Sequence, residues 1–76
     1  MTYALIIADP STTALGEIVS RHRTTAAAGH ALRGLANPRY AYVAARRADG
    51  SYPHRIEALR LPAHAEAIEA GDRLAA

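Results

Sequence analysis

Alanine supplies half of the hydrophobic residues in this sequence, and this limits the core that the chain can form. Of 76 residues, 38 are hydrophobic, and 19 of these are alanine. Two Val, five Ile, seven Leu and one Met give only 15 large aliphatic side chains. Each contributes about 1.5–3 kcal/mol when fully buried. We therefore expect one small domain over residues 1–76, in which a helix lies close to a sheet.

Positive charge is concentrated in the middle of the chain. All nine basic residues are arginine, and eight of them lie between positions 21 and 60. Subtracting Asp49 and Glu57 gives this segment a formal charge of +6, whereas residues 1–20 and 61–76 each carry −2. Such a segment is typical of proteins that bind an anionic partner, either nucleic acid or an acidic protein surface. The alternative is an ordinary charged surface.

Several classes of protein are excluded by what the sequence lacks. Without cysteine, neither a disulfide scaffold nor a zinc–thiolate site can form. The first residues include no basic segment, and their apolar run stops at Asp9, which does not fit a signal peptide. No apolar stretch approaches the roughly 20 residues of a membrane helix. We expect a cytoplasmic protein with no membrane partner, and arginine without lysine suggests a bacterium or its phage.

The first half of the sequence predicts two strands and a helix. Tyr3–Ala8 is short and apolar, and Leu15–Arg23 alternates in polarity, so both segments are predicted strands. The turn-forming residues 9–13 between them favour a hairpin. Thr24–Ala36 is a predicted helix, with a threonine cap at position 24 or 25. Its apolar stripe consists of Ala28, Ala31, Leu32 and Leu35.

The second half predicts a hairpin followed by a helix. Tyr40–Arg47 is the clearest strand, and the Asp-Gly pair that follows it is typical of a tight turn. Tyr52–Leu61 is then predicted as the return strand. Ala63–Ala70 favours a short helix that ends near Gly71, and residues 72–76 are predicted to fray.

These elements predict an α+β fold with the order β-β-α-β-β, a small antiparallel sheet and a short C-terminal helix. One helix can cover only one face of the sheet. The other face must be polar, covered by the terminal segment, or buried in a partner. Alternation along the strand 40–47 places Val43 towards the helix and Tyr42 and Arg46 on the opposite face.

The face opposite the helix is the candidate binding surface. Tyrosine and arginine are enriched at binding hot spots, and they also stack on bases and contact phosphates. A register error of one residue would exchange the two faces, and the tyrosines would then belong to the core. The predicted partner-binding residues are Arg21, Arg23, Tyr40, Tyr42, Arg46, Arg47 and Arg55.

No pattern in the sequence supports catalysis, a metal site or a cofactor. The four histidines have no i, i+4 spacing, and no cysteine completes a metal site. Asp49, Ser51 and His54 lie close together in sequence, but no nucleophile elbow surrounds them. A chain of this length also has little material to hold an active site rigid. We therefore predict a non-catalytic binding protein with no metal and no cofactor.

In size, in alanine and arginine content and in predicted β-β-α-β-β order, the chain resembles small accessory proteins of phages and mobile elements, including anti-CRISPR proteins. The resemblance implies a protein that docks on a CRISPR effector complex and blocks target binding or nuclease recruitment. Many such inhibitors are acidic mimics of DNA, whereas an Arg/Tyr face would contact an acidic or nucleic-acid-binding region. Direct binding of DNA or RNA and a homodimer that buries this face are the alternatives.

Overall fold

The computed structural model describes residues 1–8, 16–35 and 40–75, and it has an α+β fold. The strands form one antiparallel sheet in the order β2-β1-β3. The predicted α+β class and the antiparallel pairing of the first two strands are confirmed. The elements are β1 (Tyr3–Ile7), β2 (Glu17–His22), α1 (Thr25–Arg33), β3 (Ala41–Ala45), α2 (Arg55–Arg60) and α3 (Pro62–Ala75).

Helix α1 begins where the sequence predicts, at a threonine cap. The Thr24 hydroxyl accepts a hydrogen bond from the N–H of Ala27 at 3.1 Å, which satisfies one of the free donors at the helix start. The helix ends at Arg33, with Gly34 as its C-cap. The predicted turn over residues 9–13 lies outside the described part of the chain.

The predicted fourth strand is wrong. Residues 51–54 have no regular structure, and α2 occupies most of the segment 52–61. The N–H of Ala58 donates to the carbonyl oxygen of His54 at 2.8 Å, which forms the first turn of this helix. Residues 55–60 are mostly good helix formers. Their local preference therefore prevails over the weak alternation of apolar residues.

The tight turn before this segment is formed, although no return strand follows it. Gly50 has a φ of 89°, a conformation that glycine adopts at little cost. The Asp49 carboxylate accepts hydrogen bonds from the backbone N–H of Ser51 at 2.9 Å and from its hydroxyl at 2.6 Å. After the turn, Tyr52 is buried against the sheet.

Helix α3 is longer than predicted. It continues through Gly71, where the sequence predicts its end. Gly71 is needed for contact between helices, because a Cβ at this position would lie 3.0 Å from the carbonyl oxygen of Gly29. A Cβ at Gly29 would in turn lie 2.0 Å from the carbonyl oxygen of Ala67. The two glycines therefore let the backbones of α1 and α3 touch.

Helices α1 and α3 cover one face of the sheet, called here the helix face. Leu5 and Val43 are register partners on this face, and both are fully buried. They pack in one cluster with Leu32 of α1 and Ala67 of α3. The predicted orientation of Val43 is therefore confirmed.

The segment after β3 covers the other face, called here the Tyr42 face. Ile6 and Tyr42 are register partners on it, and both are 0% exposed. They share a cluster with Tyr52 and Ala58. The Tyr42 hydroxyl donates to the carbonyl oxygen of Pro53 at 3.2 Å. This face is therefore covered, but by the segment that was predicted as the fourth strand; the terminal helix, which the sequence offered as a cover, packs on the helix face as α3.

Candidate anion-binding site

Two of the seven predicted site residues meet at one end of the Tyr42 face. Arg21 pairs in register with Ala4, and Ala4 pairs on its other side with Ala44, two residues before Arg46. Since register partners share a face and side chains alternate along a strand, Arg21 and Arg46 lie on the same face. We call the cavity there the Arg21–Arg46 cleft. It is lined by Thr2, Arg21, Arg46, Gly50 and Tyr52.

A bulge in β2 places Arg21 on this face. Leu5 lies opposite Ser20, but Ile6 lies opposite Ile18, so one residue of β2 has no register partner. The extra residue interrupts the side-chain alternation. As a result, Ile18 packs against the Tyr42-face cluster while Arg21, three positions later, lies on the same face. Strict alternation would have placed these two residues on opposite faces.

Backbone contacts on two sides position Arg46. Its N–H donates to the carbonyl oxygen of Thr2 at 2.8 Å, which extends the pairing of β1 with β3. Its guanidinium lies beside Gly50, where a Cβ would be 3.1 Å from Nη2. The turn and the arginine are therefore fitted to each other, and a side chain at position 50 would displace the guanidinium.

The cleft has positive charge that no carboxylate of the described ranges neutralises. Arg21 and Arg46 are both exposed. The ion pairs within those ranges are Arg33–Asp72, Arg47–Glu57 and Arg73–Glu69. Because Arg21 and Arg46 are in none of them, their guanidinium groups remain available to an external anion.

Arg47 lies beside the cleft, with its guanidinium paired to Glu57. Together with Arg46 it lines a second, shallow cavity next to Thr2. The hydrogen bond between Arg47 and Glu57 raises the pKa of Arg47 and lowers the pKa of Glu57, so both remain charged at neutral pH. Both side chains are exposed to solvent, and exposed pairs of this kind are weak. Arg47 can therefore exchange Glu57 for an external anion.

The other predicted site residues do not join the cleft. Tyr42 is fully buried, so the expectation that it is exposed to a partner is wrong; the segment after β3 covers it. Tyr40 is half-buried, and its carbonyl oxygen accepts from the N–H of Ala8 at 3.1 Å. Arg23 is exposed in the bend before α1. Arg55 lines a different cavity, between the helices.

Sequence reasoning missed the wall that completes the cleft. Tyr52 was assigned to a return strand, and Thr2 had no signal in the sequence. The Asp-Gly pair did predict the turn that brings Gly50 to the guanidinium of Arg46. The wall was missed because it depends on how the chain returns over the sheet, which local patterns do not determine.

The polar groups of the site suit anions rather than metal ions. Guanidinium groups donate hydrogen bonds and accept none. Within the described ranges, no three His, Asp or Glu side chains lie close enough to hold a metal ion.

One serine–histidine pair lies away from the cleft. The Ser20 hydroxyl and the Nε2 of His22 are 2.8 Å apart in β2. A catalytic triad also needs a carboxylate that orients the histidine as a base. In the described part of the chain, no carboxylate pairs with His22.

Comparison with known proteins gives no relative. No protein-family model matches the chain, and neither a curated protein nor a solved structure matches it at a significant level. The function has to be inferred from the geometry and charge of the surface.

Proposed function

We propose that this chain is a non-catalytic binding protein that docks an anionic surface into the Arg21–Arg46 cleft. The convergence of two arginines that form no ion pair with any described residue, one following β3 and one from β2, carries the proposal. A guanidinium group presents its donors in a planar fork that matches carboxylates and phosphates. Two forks in one cleft favour a partner that carries several anionic groups, and Arg47 extends the contact.

An acidic protein surface fits this cleft better than single-stranded nucleic acid. Binding of single strands relies on exposed aromatic side chains on which bases stack. Tyr42 and Tyr52, which lie in the cluster of the Tyr42 face, are buried and offer no stacking platform. The cleft therefore supplies charge and hydrogen bonds without base stacking, which favours docking on acidic side chains.

The resemblance to anti-CRISPR proteins supplies a specific partner class for this proposal. The chain would dock on a CRISPR effector complex through the Arg21–Arg46 cleft and block target binding or nuclease recruitment. With α2 in place of the fourth strand, the resemblance rests on size and composition. The resemblance is therefore tested directly. The chain is expressed together with CRISPR effector complexes, and two quantities are measured: its co-purification with the complexes and the interference of the complexes against phage.

Charge reversal tests the cleft itself. We expect R21E/R46E to lose at least tenfold in affinity for the protein partner, because two attractive contacts become repulsive. The matched control is R60E, which reverses an exposed arginine at the end of α2. Far-UV circular dichroism establishes that both variants are folded. Equal binding by wild type and R21E/R46E would contradict the proposal.

A gel shift with short DNA and RNA at two salt concentrations distinguishes direct binding of nucleic acid from docking on a protein partner. Binding through phosphates weakens steeply as salt rises. We expect no shift at physiological salt. A salt-sensitive shift that R21E/R46E abolishes would replace the protein partner with nucleic acid.

A further inference from the structure

A separate cavity lies among α1, α2, α3 and β3 and shares no lining residue with the Arg21–Arg46 cleft. Its volume of about 540 Å³ falls within the range of small-molecule sites, about 300–1,000 Å³. Leu32 of α1, Leu59 of α2 and Ile68 of α3 supply an apolar wall. Leu59 and Ile68 are each 41% exposed, so solvent reaches this wall.

Arg55 lines this cavity, and its side chain includes a buried donor without a partner among the described residues. Its Nε atom is buried and makes no hydrogen bond to any described residue. A buried N–H that loses water without gaining an acceptor is costly. The carboxylates of Glu57 and Asp72 are engaged by Arg47 and Arg33. The arginine therefore offers both a charge and an unsatisfied donor beside an apolar wall.

His64 contributes a second donor to the same cavity. Its Nδ1 accepts a hydrogen bond from the N–H of Val43 at 3.1 Å, so the neutral ring carries its proton on Nε2. No described residue accepts from that Nε2–H. Burial, and to a smaller extent the charge of Arg55, hold the pKa of His64 below its usual value. The neutral form with a free Nε2–H is therefore the one present at neutral pH.

The charges on the cavity wall match a single negative charge. Arg33 and Asp72 both line the cavity, and they form an ion pair with each other. With His64 neutral, Arg55 leaves one net positive charge. A ligand with one carboxylate would neutralise this charge at the guanidinium of Arg55 and accept from the Nε2–H of His64.

From this arrangement we infer that the cavity binds a small monocarboxylate with an apolar chain. The carboxylate lies between Arg55 and His64, and the apolar chain lies against Leu32, Leu59 and Ile68. This inference is independent of the proposed docking function, since the two sites share no residue.

The test is a titration of the full chain, labelled with ¹⁵N, with octanoate and followed by NMR. We expect saturable shifts centred on the amides of Val43, His64 and Ile68. Two probes divide the ligand into its parts: octan-1-ol has the apolar chain without the charge, and acetate has the charge without the chain. Both are expected to bind at least tenfold more weakly. Equal affinity for octanol, or shifts that spread over the surface without saturation, would overturn the inference.

Two variants identify the carboxylate contact. Arg55→Gln removes the charge. It is expected to lower the affinity for octanoate at least tenfold and to change the affinity for octan-1-ol little. Its matched control is Arg60→Gln, at the exposed end of the same helix. If Arg55→Gln does not fold, Leu59→Glu places a repelling carboxylate on the exposed wall and should weaken octanoate to the same degree. Unchanged octanoate binding in a folded Arg55→Gln or Leu59→Glu variant would refute the contact.

Discussion

At the scale of the residue, His64 couples the fold to pH. The folded chain lowers the pKa of His64, mainly through burial and further through Arg55. In the unfolded chain this histidine titrates near its usual pKa of about 6.5. As the pH falls below that value, the unfolded state takes up a proton that the folded state resists, so the free energy of unfolding decreases. We expect urea denaturation to show this loss between pH 7 and pH 5.

Substitution of His64 isolates the effect. In His64→Gln the side-chain carbonyl can still accept from the N–H of Val43, but the residue does not titrate. We expect this variant to lose less stability between pH 7 and pH 5 than wild type does. The control is His30→Gln, because His30 is exposed on α1. Asp49 and Glu57 have lowered pKa values and titrate below this window. The same pH profile in wild type and His64→Gln would contradict the assignment.

Gly50 is the residue on which the geometry of the cleft depends. In Gly50→Ala, a side chain would be forced into a φ of 89° and would crowd Nη2 of Arg46. The backbone conformation alone costs an L-residue about 1–2 kcal/mol. We therefore expect both a lower melting temperature and weaker partner binding. In the control Gly34→Ala, φ is −75° and the Cβ makes ordinary contacts. Unchanged melting and binding in Gly50→Ala would show that the turn does not position Arg46.

At the scale of the element, the contact of α1 with α3 reverses the effect expected from helix propensity. Alanine is a better helix former than glycine by about 1 kcal/mol, so propensity alone predicts that Gly29→Ala is stabilising. In the fold, the new Cβ would lie 2.0 Å from the carbonyl oxygen of Ala67, and the helices would have to separate. Overpacking of this kind costs about 1–3 kcal/mol or more. We expect a clear loss in thermal denaturation, and a gain in stability would contradict the close contact.

The elements also show where sequence patterns are sufficient. The strands β1 and β3 were predicted because their short apolar runs lie in the centre and at one edge of a buried sheet, where the local pattern and the tertiary environment agree. The segment 52–61 was predicted wrongly because Ile56 and Ala58 fit either a strand or a helix. Ala58 faces the core, whereas Ile56 is 68% exposed. The helix preference of residues 55–60 and the packing of Ala58 against the Tyr42 face together favour the helix.

The candidate site divides in the same way. Arg46 was predicted on this surface because the alternation along its strand carries that information. Arg21 was predicted there as well, but it lies on this face only because the bulge in β2, which was not predicted, interrupts the alternation. Burial of Tyr42 was not predictable, because it depends on a segment that was assigned to the sheet edge. The cavity among α1, α2, α3 and β3 was missed for the same reason, since α2 forms one of its walls.

At the scale of the whole molecule, both cores share the strands β1 and β3, so neither is expected to unfold alone. A chain of this length has a total stability of about 4–11 kcal/mol, at about 0.05–0.15 kcal/mol per residue. Leu5 is 1% exposed on the helix face, and its replacement by alanine should cost about 2–5 kcal/mol. That is a large part of the total. Each kcal/mol lowers the melting temperature of a domain this small by about 4–8 °C.

The prediction for Leu5→Ala is therefore a single transition at a much lower temperature. Far-UV circular dichroism is dominated by α1 and α3 on the helix face, which are longer than α2, while near-UV circular dichroism of the tyrosines includes Tyr42 and Tyr52 on the opposite face. If the two cores are coupled through the sheet, the two signals change together in wild type and in the variant. Ile7→Ala serves as the control. Ile7 lies in the same strand but is 38% exposed, so its replacement should lower the stability much less. Loss of the far-UV signal before the tyrosine signal would show instead that the two faces unfold independently.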